Sequence, residues 1–553
     1  MKLGAFTFVL HSHLPYCRQA GRWPHGEEWI HEAAAETYVP LLEVLADLAE
    51  SGVPARLTLG ITPVLAEQLA DPLVVEHFAW YTRDRAERAG RDVGRFEKLG
   101  DRHAAYLASW YESFYRHVLA TFTDRFQRSL MGAARQLQES GHLEVLTSAA
   151  THGYLPLLSR DSSISAQLQT GVRTYRRHFG RAPRAVWLPE CAYRPAYHEG
   201  AAIRPGLEDF LAQAGLRLFF AETHTVEGGR PVGKAMEEVI GPYGDIPRRY
   251  VVPVSESIPV SERSTFEAYN VARADVAVMG RNNRTGLQVW SAEHGYPGDF
   301  DYREFHKKDG VSGLQYWRVT GPRVDLGDKD YYHPDWAEGK IGLQADHFAE
   351  LVEELIGDYH ARTGRYGIVA AVYDTELFGH WWFEGVRWLG EVLRRLAASQ
   401  SVELSTASGY LERHPPENVV ALPESSWGMG GNHFTWENVD TDWMWPLIHE
   451  AETRMERLVA RDSTASGPTL EVLKQAAREL LLLQSSDWPF LITTGQAGEY
   501  AIERFNDHHE RFERLAALVE AGPADESVGQ LAAELYERDK VFADVDYRDW
   551  TAR

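Results

Sequence analysis

Two carboxylate residues stand in sequence contexts where a catalytic pair could form. Glu190 lies in VWLPECAYRP, directly after an apolar run, and Asp374 lies in VAAVYDTELFGHWWFEG, where five apolar residues precede it. Two partly buried carboxyl groups on different strands can serve as nucleophile and general acid/base on a glycosidic bond. A structural ion pair would explain the same pattern, because ion-pair networks also bury carboxylates.

Three histidines form a second group of candidate functional residues. His11 and His13 lie in LHSHLPY on a predicted strand, where alternation places both imidazoles on one face. Together with His152 and a carboxylate they could bind a catalytic zinc ion. Imidazole also suits hydrogen bonding to substrate hydroxyls or to the carboxylates. Both interpretations are open from the residues alone.

The aromatic residues indicate a neutral, hydroxylated ligand. The chain has 17 tryptophans in 553 residues, and several of them lie in polar, glycine-rich segments instead of apolar periodic ones. Most aromatic side chains fill the core, but a sugar ring has an apolar face that an exposed indole can contact. We therefore predict that five tryptophans line sugar subsites: Trp23, Trp29, Trp290, Trp427 and Trp436.

Short apolar strands alternate with long helical patterns, which indicates an α/β fold with a parallel sheet. Polar residues follow seven of these strands, as at the carboxyl ends of the strands in a TIM-like barrel, where active sites form. These strand ends carry His11 to His13, Thr62, Thr151 and His152, Glu190, Glu222 to His224, Arg281 to Asn283, and Asp374 to Glu376. The predicted strands are Ala5–Leu10, Ala55–Leu59, Leu143–Thr147, Ala185–Leu188, Leu216–Ala221, Val276–Met279, Ile368–Tyr373 and Val402–Ser405.

The length of the chain and its helical patterns predict additional parts around the barrel. We assign residues 1–75 and 141–415 to the barrel and residues 76–140 to a helical insertion. Residues 416–553 form a predicted C-terminal helical domain that completes the substrate cleft. A long loop excursion is predicted over residues 227–273.

Composition excludes several classes of function. The chain has 57 Lys and Arg against 80 Asp and Glu, a net charge of −23, which disfavours binding to nucleic acid or to an anionic membrane. Its two cysteines, Cys17 and Cys191, cannot form a disulfide framework, and no apolar run reaches the ~18 residues of a membrane span. The start lacks the features of a signal peptide, so a cytoplasmic location is expected. No dinucleotide-binding, P-loop or serine-hydrolase motif is found.

Five segments together resemble glycoside hydrolase family 57, and within it the 1,4-α-glucan branching enzymes. In chain order they are LHSHLPY, HLEVLTSAATHGYLPLL, AVWLPECAYRP, AAVYDTELFGHWWFEG and SSDWPFLITTGQAGEYA. The third and fourth segments are the specific ones. The segments that begin GRWPHGEEW and VWSAEHGYPGD, together with SSWGMGGNHFTW, are typical of the branching enzymes and differ in the family's amylases and 4-α-glucanotransferases.

The resemblance implies a role for each matched residue. Glu190 is then the nucleophile and Asp374 the general acid/base, while Asp487 in the fifth segment points toward the substrate. It also implies an incomplete (β/α)7 barrel, so the strand at Val402–Ser405 should lie outside the closed barrel. The expected reaction is retaining transglycosylation that cleaves an α-1,4 bond in glucan and forms an α-1,6 branch. No metal or organic cofactor is expected, and the protein is expected to be a monomer or small homo-oligomer.

Three alternatives remain. A 4-α-glucanotransferase or an α-amylase would use the same carboxylates with a different outcome. A metal-dependent sugar deacetylase would use the three histidines with Asp374, and a non-catalytic protein would only bind glucan.

The loop around Gly241 to Gly244 carries Tyr243 at its tip, and similarity to the family's branching enzymes implies that this tyrosine closes over bound glucan.

Overall fold

The computed structural model describes residues 2–200, 202–230, 257–290 and 295–552. All eight predicted strands are present, with bounds that differ by a few residues. In the described chain the strands are β1 (Gly4–Ser12), β2 (Leu57–Ile61), β3 (Leu143–Ser148), β4 (Val186–Trp187), β5 (Tyr197–Glu199), β6 (Ala202–Arg204), β7 (Leu218–Ala221), β8 (Ala268–Val271), β9 (Ala277–Gly280), β10 (Gly367–Asp374), β11 (Val402–Leu404) and β12 (Val419–Val420).

Long helices alternate with these strands and then occupy the C-terminal part of the chain. They are α1 (Glu28–Ala33), α2 (Val39–Glu50), α3 (Pro63–Ala70), α4 (Pro72–Leu99), α5 (Arg102–Ala120), α6 (Leu130–Glu139), α7 (Asp161–Phe179), α8 (Leu207–Gln213), α9 (Thr223–Glu227), α10 (Asn283–Trp290), α11 (Pro334–Thr363), α12 (Gly385–Ala398), α13 (Ala407–Arg413), α14 (Met444–Arg461), α15 (Gly467–Leu483), α16 (Asp487–Thr494), α17 (Gly498–Ala521) and α18 (Glu526–Arg538). Each helix of the described chain is too short or too polar to span a bilayer.

Parallel strands form an incomplete barrel, as predicted. The sheet order is β10-β1-β2-β3-β4, and a parallel bridge between Ala185 and Leu218 leads on to β7 and β9. Between β9 and β10, the two ends of this strand order, Asn282 N donates to Ala370 O at 3.0 Å. Every residue of β1, β2 and β3 is buried, as expected for parallel strands that are covered on both faces.

The strand predicted at Val402–Ser405 lies outside the ring order, as expected. As β11 it pairs with the first residues of β1, with Val402 opposite Gly4. This pairing is possible because β2 pairs with β1 only from Val9 onward, which leaves the beginning of β1 free on that side.

The predicted loop excursion and C-terminal domain differ in detail from the structure. Residues 257–273 contain a strand, β8, which pairs antiparallel with β9, so this part is not all loop. A two-residue strand, β12, follows Pro416 and pairs with β8, where we expected helices only. Residues 231–256, and with them Tyr243, lie outside the described residues.

A helical hairpin of α4 and α5 occupies most of the predicted insertion. The Asp71 carboxylate accepts hydrogen bonds from Leu73 N and Val74 N at the start of α4. Gly100 ends this helix with φ of +74°, a left-handed conformation that favours glycine. The next helix, α6, packs against β3 and α7. The predicted domain boundaries stay predictions.

Candidate active site

The polar residues that follow the barrel strands lie together at the carboxyl edge of the barrel, as the strand pattern predicted. His11 on β1 lies opposite Asp374 on β10 in the parallel register. The Ser12 hydroxyl donates to Thr375 Oγ1 at 2.8 Å. At the ends of the neighbouring strands β9 and β7, Arg281 Nη1 donates to Glu222 Oε1 at 2.7 Å. Residues far apart in the chain therefore share one face.

Glu190 lies in a tight turn directly after β4. Its φ of 60° and ψ of 25° place it in the left-handed region, which is uncommon for residues other than glycine. The Glu190 carbonyl accepts a hydrogen bond from Trp427 N at 3.1 Å. Strained backbone of this kind is frequent at active sites, where the surrounding structure holds it in place.

The Glu190 carboxylate is held by residues from distant segments. Trp427 Nε1 donates to Glu190 Oε2 at 2.6 Å, and the Ser486 hydroxyl lies 3.4 Å from Oε1. Burial and, to a smaller extent, the charges of Asp374 and Asp487 raise the pKa of Glu190 to about 8. The Trp427 hydrogen bond opposes this rise because it stabilises the ionised carboxylate.

Asp374 is half-buried at the end of β10. Burial raises the pKa of Asp374 to about 7, against the lowering effect of Arg281 and His13. Arg281 is itself almost completely buried and paired with Glu222. A carboxyl group that titrates near neutral pH can donate a proton in one step and accept one in the next.

The two carboxyl groups thus both titrate near neutrality and interact with each other. Such a pair loses its protons in two coupled steps, so that one group is ionised while the other is still protonated. The Trp427 N–H favours the ionised form of Glu190, but the pKa of Glu190, about 8 with this bond in place, lies above that of Asp374, about 7. The reaction needs the reverse order, with an ionised nucleophile and a protonated general acid.

A third carboxyl group, Glu376, supports this arrangement. It accepts hydrogen bonds from the Tyr38 hydroxyl and from His13 N. Burial and the charge of Asp374 raise the pKa of Glu376 to about 8. Since Glu376 follows Asp374 by two residues, these bonds anchor the chain just beyond the end of β10.

His13 connects the barrel to the C-terminal helices. Its Nδ1 lies 3.0 Å from Thr62 Oγ1, and its Nε2 lies 3.0 Å from Asp487 Oδ1. The other Asp487 oxygen accepts from the Ser485 hydroxyl at 2.6 Å. Asp487, which the sequence predicted to point toward the substrate, is therefore joined to the predicted histidine cluster.

His11 and His152 lie beside each other and beside the catalytic candidates. Their Nε2 atoms are 3.1 Å apart, and His152 Nδ1 lies 2.8 Å from the Ser486 hydroxyl. The His11 ring stacks on Trp187 with ring centres 4.5 Å apart. Burial lowers the pKa of both His11 and His152, so both imidazoles are neutral at pH 7. Neutral imidazoles suit contact with neutral hydroxyl groups.

The metal alternative has no clear support from this geometry. Both ring nitrogens of His13 and of His152 already face protein partners. In the described part of the chain, two groups of three ligand side chains lie close together, and neither includes these histidines. They are Glu27 with His31 and His77, and Glu479 with His508 and Asp539.

Two of the predicted aromatic residues contact the site. Trp427 is 7% exposed and donates its indole N–H to Glu190. Trp290, at the end of α10, lies beside the Arg281 guanidinium, which is 5.8 Å from its ring centre. Both tryptophans are thus linked to the catalytic carboxyl groups through hydrogen-bonding or charged partners.

The other three predicted aromatic residues have different surroundings. Trp29 is partly buried and packs edge-on against Tyr500, and Trp23 is 75% exposed. Trp436 is fully buried and stacks on Tyr154 with ring centres 4.3 Å apart. The prediction that Trp436 forms a subsite wall is therefore wrong for this conformation, because it has no accessible ring face.

Sequence reasoning did not identify three residues that contact this set. Ser486 contacts both Glu190 and His152, Trp187 stacks under His11, and Tyr38 donates to Glu376. Ser486 directly precedes Asp487 in the fifth matched segment, so that segment could have indicated Ser486 as a site residue. Tyr38 lies within a largely apolar helical segment, where its sequence context gives none.

Comparison with known proteins shows similarity along the whole chain. The model of glycosyl hydrolase family 57 matches residues 7–423, and the model of the 1,4-alpha-glucan branching enzyme C-terminal region matches residues 447–550. The 1,4-alpha-glucan branching enzyme TK1436 of Thermococcus kodakarensis is 45% identical over 549 residues, which is 98% of this chain and 78% of that protein.

Solved structures show the same relationship. The crystal structure of TK1436 has a TM-score of 0.89 at 43% identity and covers 100% of this chain and 97% of that one. A GH57-type branching enzyme from Pyrococcus horikoshii has a TM-score of 0.87 at 40% identity, with coverage of 100% and 97%. The alpha-amylase AmyC from Thermotoga maritima has a TM-score of 0.81 at 28% identity, with 100% of both chains covered.

Proposed function

Since the chain belongs to glycosyl hydrolase family 57, we propose that it is a 1,4-α-glucan branching enzyme, which cleaves an α-1,4 bond and re-forms the chain as an α-1,6 branch. The observation that carries this proposal is the match of its C-terminal region to the branching-enzyme model, in addition to the family match. The relatives of highest identity named above are branching enzymes.

In the first half of the reaction, Glu190 attacks the anomeric carbon of an α-1,4-linked glucose. Asp374 donates its proton to the leaving glycosidic oxygen, and the product is a covalent glycosyl-enzyme. The indole N–H of Trp427 supports this step because it stabilises the ionised form of the Glu190 carboxylate. A retaining pair of this kind requires carboxyl groups about 5–5.5 Å apart.

In the second half, Asp374 acts as a base. It removes the proton from the 6-hydroxyl of a glucose in an acceptor chain, and that oxygen attacks the anomeric carbon and releases Glu190. The pKa of Asp374, about 7, suits both directions of proton transfer. The configuration at the anomeric carbon is retained, and the new linkage is an α-1,6 branch.

The remaining site residues are proposed to bind glucan. Neutral His11 and His152 and the His13–Asp487 pair offer hydrogen-bonding groups at the strand ends. Aromatic side chains would cover the sugar and exclude water, the competing acceptor. The proposed glucan-binding set is His11, His13, Trp23, Trp29, His152, Tyr243, Trp290, Trp427 and Asp487. The expected cytoplasmic location and the monomeric or small oligomeric state stay predictions.

Incubation with amylose tests the proposal. Branching lowers the iodine colour without a matching rise in reducing ends, and the new linkages become sensitive to a debranching enzyme. Glu190→Gln and Asp374→Asn should both abolish this activity while amylose binding survives. Reducing ends that rise with the loss of colour would indicate an α-amylase, which the similarity to AmyC makes the second candidate.

A change in chain lengths without debranchable linkages would instead indicate a 4-α-glucanotransferase. Activity that a chelator abolishes would favour the metal-dependent deacetylase. The match to a glycosidase family over most of the chain favours glycosidic chemistry over that last alternative.

A further inference from the structure

An exposed group of aromatic rings lies on elements other than the catalytic strand ends. Trp336, in the first turn of α11, is 51% exposed, and Tyr106 on α5 is 45% exposed. His103 and His333 lie between them, with ring centres 5.9 Å from Tyr106 to His103, 4.2 Å from His103 to His333 and 3.8 Å from His333 to Trp336. We call these four residues the α5–α11 aromatic surface.

Hydrogen bonds hold this surface in place. His103 Nε2 donates to the Tyr332 carbonyl at 2.8 Å, which joins α5 to the segment before α11. Beside it, the Tyr331 hydroxyl donates to Asp101 at 2.7 Å. The hydrogen bond fixes His103, and the ring contacts from His103 to His333 and from His333 to Trp336 restrict these side chains. A ligand that binds them therefore loses less side-chain conformational entropy on association.

The surface has charged groups at its rim. Burial lowers the pKa of His333, and the neighbouring His103 and Arg318 lower it further, which favours the uncharged imidazole. The Arg318 guanidinium lies 5.7 Å from the Trp336 ring centre and pairs with Asp330 at 2.8 Å. Flat aromatic rings flanked by charged hydrogen-bonding groups match the apolar face and the hydroxyl edge of a sugar.

The exposed area argues against a protein partner. His333 stacks on one face of Trp336 at 14°, yet Trp336 stays 51% exposed. Together Trp336 and Tyr106 expose on the order of 200 Å² of ring surface. A stable protein interface buries roughly 800 Å² on each partner, several times more.

We propose that the α5–α11 aromatic surface is a second α-glucan-binding site, separate from the catalytic site. The identity of the ligand rests on the proposed function, while the geometry of the surface does not. Binding of one part of a long glucan here would raise the effective concentration of the rest of the chain at the active site. The site should therefore affect long polymers at low concentration and leave the maximal rate unchanged.

Affinity electrophoresis in gels with and without amylopectin tests this proposal. The full-length protein carries Trp336→Ala, Tyr106→Ala or both, and Leu343→Ala serves as the matched control. Leu343 lies two turns further along α11 and is 68% exposed, so its loss removes apolar surface from the same helix outside the aromatic surface. The melting temperature of each variant is measured in parallel.

We expect amylopectin to retard the double variant several-fold less than the wild type, and each single variant to show an intermediate retardation. Leu343→Ala should be retarded as strongly as the wild type. The double variant should keep the wild-type kcat on saturating amylose and show a higher KM. If amylopectin retarded the double variant as strongly as Leu343→Ala, the proposal would be overturned. If either single variant failed to fold, the other would still report on the surface.

Failure of the proposed function would give a different result. If the wild-type protein makes no branches, while the double variant is retarded less than the wild type, the second glucan-binding site is supported and the branching activity is refuted. If the wild-type protein branches amylose, while the double variant is retarded as strongly as the wild type, the branching activity is supported and the second glucan-binding site is refuted.

Discussion

Replacement of Trp427 by phenylalanine should shift the pH dependence of the reaction. The change removes the indole N–H that donates to Glu190 Oε2 at 2.6 Å and keeps most of the aromatic ring. Without this donor, burial and the charges of Asp374 and Asp487 raise the pKa of Glu190 above its value of about 8. The ionised nucleophile then forms only at higher pH.

The size of the shift follows from the strength of the lost bond. A hydrogen bond to a charged group contributes about 1.5–3 kcal/mol. One pKa unit corresponds to about 1.4 kcal/mol, so the acid limb of the kcat/KM profile should move up by roughly 1–2 pH units. Below that limb, kcat/KM should fall by a factor on the order of 10–100.

The measurement is the rate of iodine-colour loss on amylose between acid and alkaline pH, with debranching to confirm the product. Trp445→Phe is the matched control, because Trp445 is 5% exposed and donates its indole N–H to the Trp436 carbonyl, away from Glu190. An unchanged acid limb in Trp427→Phe, with the control also unchanged, would refute the electrostatic role of this indole.

Further substitutions test the electrostatics and the loop. Because the pKa of Glu190 is raised to about 8, the folded protein binds more protons than the unfolded chain between about pH 4 and pH 8. The free energy of unfolding therefore falls as the pH rises through this range. Glu190→Gln should raise the melting temperature at pH 8 and have less effect at pH 5. Arg281→Met removes the buried ion pair that Arg281 forms with Glu222 and should lower the free energy of unfolding in urea by about 3–5 kcal/mol. Arg365→Met, at an exposed pair with Glu267, should have a much smaller effect. Equal losses in the two variants would contradict this account. Tyr243→Ala should reduce the ratio of branching to hydrolysis several-fold at an unchanged melting temperature, and an unchanged ratio would exclude the loop from the mechanism.

The strand pattern was predictable because parallel strands that are buried on both faces need continuous apolar sequence. This requirement revealed every strand of the barrel, and it revealed the short β11 as well. The antiparallel strand β8 was not identified, because it lies beyond a glycine- and proline-rich segment that indicated a loop. The pairing of β12 with β8 depends on contacts between residues about 150 positions apart, which local patterns do not report.

The aromatic residues show where composition stops being informative. Trp427 and Trp436 lie in one polar, glycine-rich segment, yet one contacts Glu190 and the other is sealed against Tyr154. Their sequence neighbourhoods are alike, and only the direction of each side chain separates them. The same limitation explains why Tyr38, on a largely apolar helix, was not recognised as a partner of Glu376.

The sequence by itself determined the fold class, the strand ends that carry polar residues and the candidate roles of Glu190 and Asp374. These depend on local features: apolar runs, the residues that end them, and short segments that resemble a family. The tertiary structure decided which groups set the protonation of that pair, because Trp427, Ser486 and Asp487 come from segments more than 100 residues away from Glu190. A pKa depends on burial and on charges in space, and chain folding alone brings these groups within a few ångströms of each other.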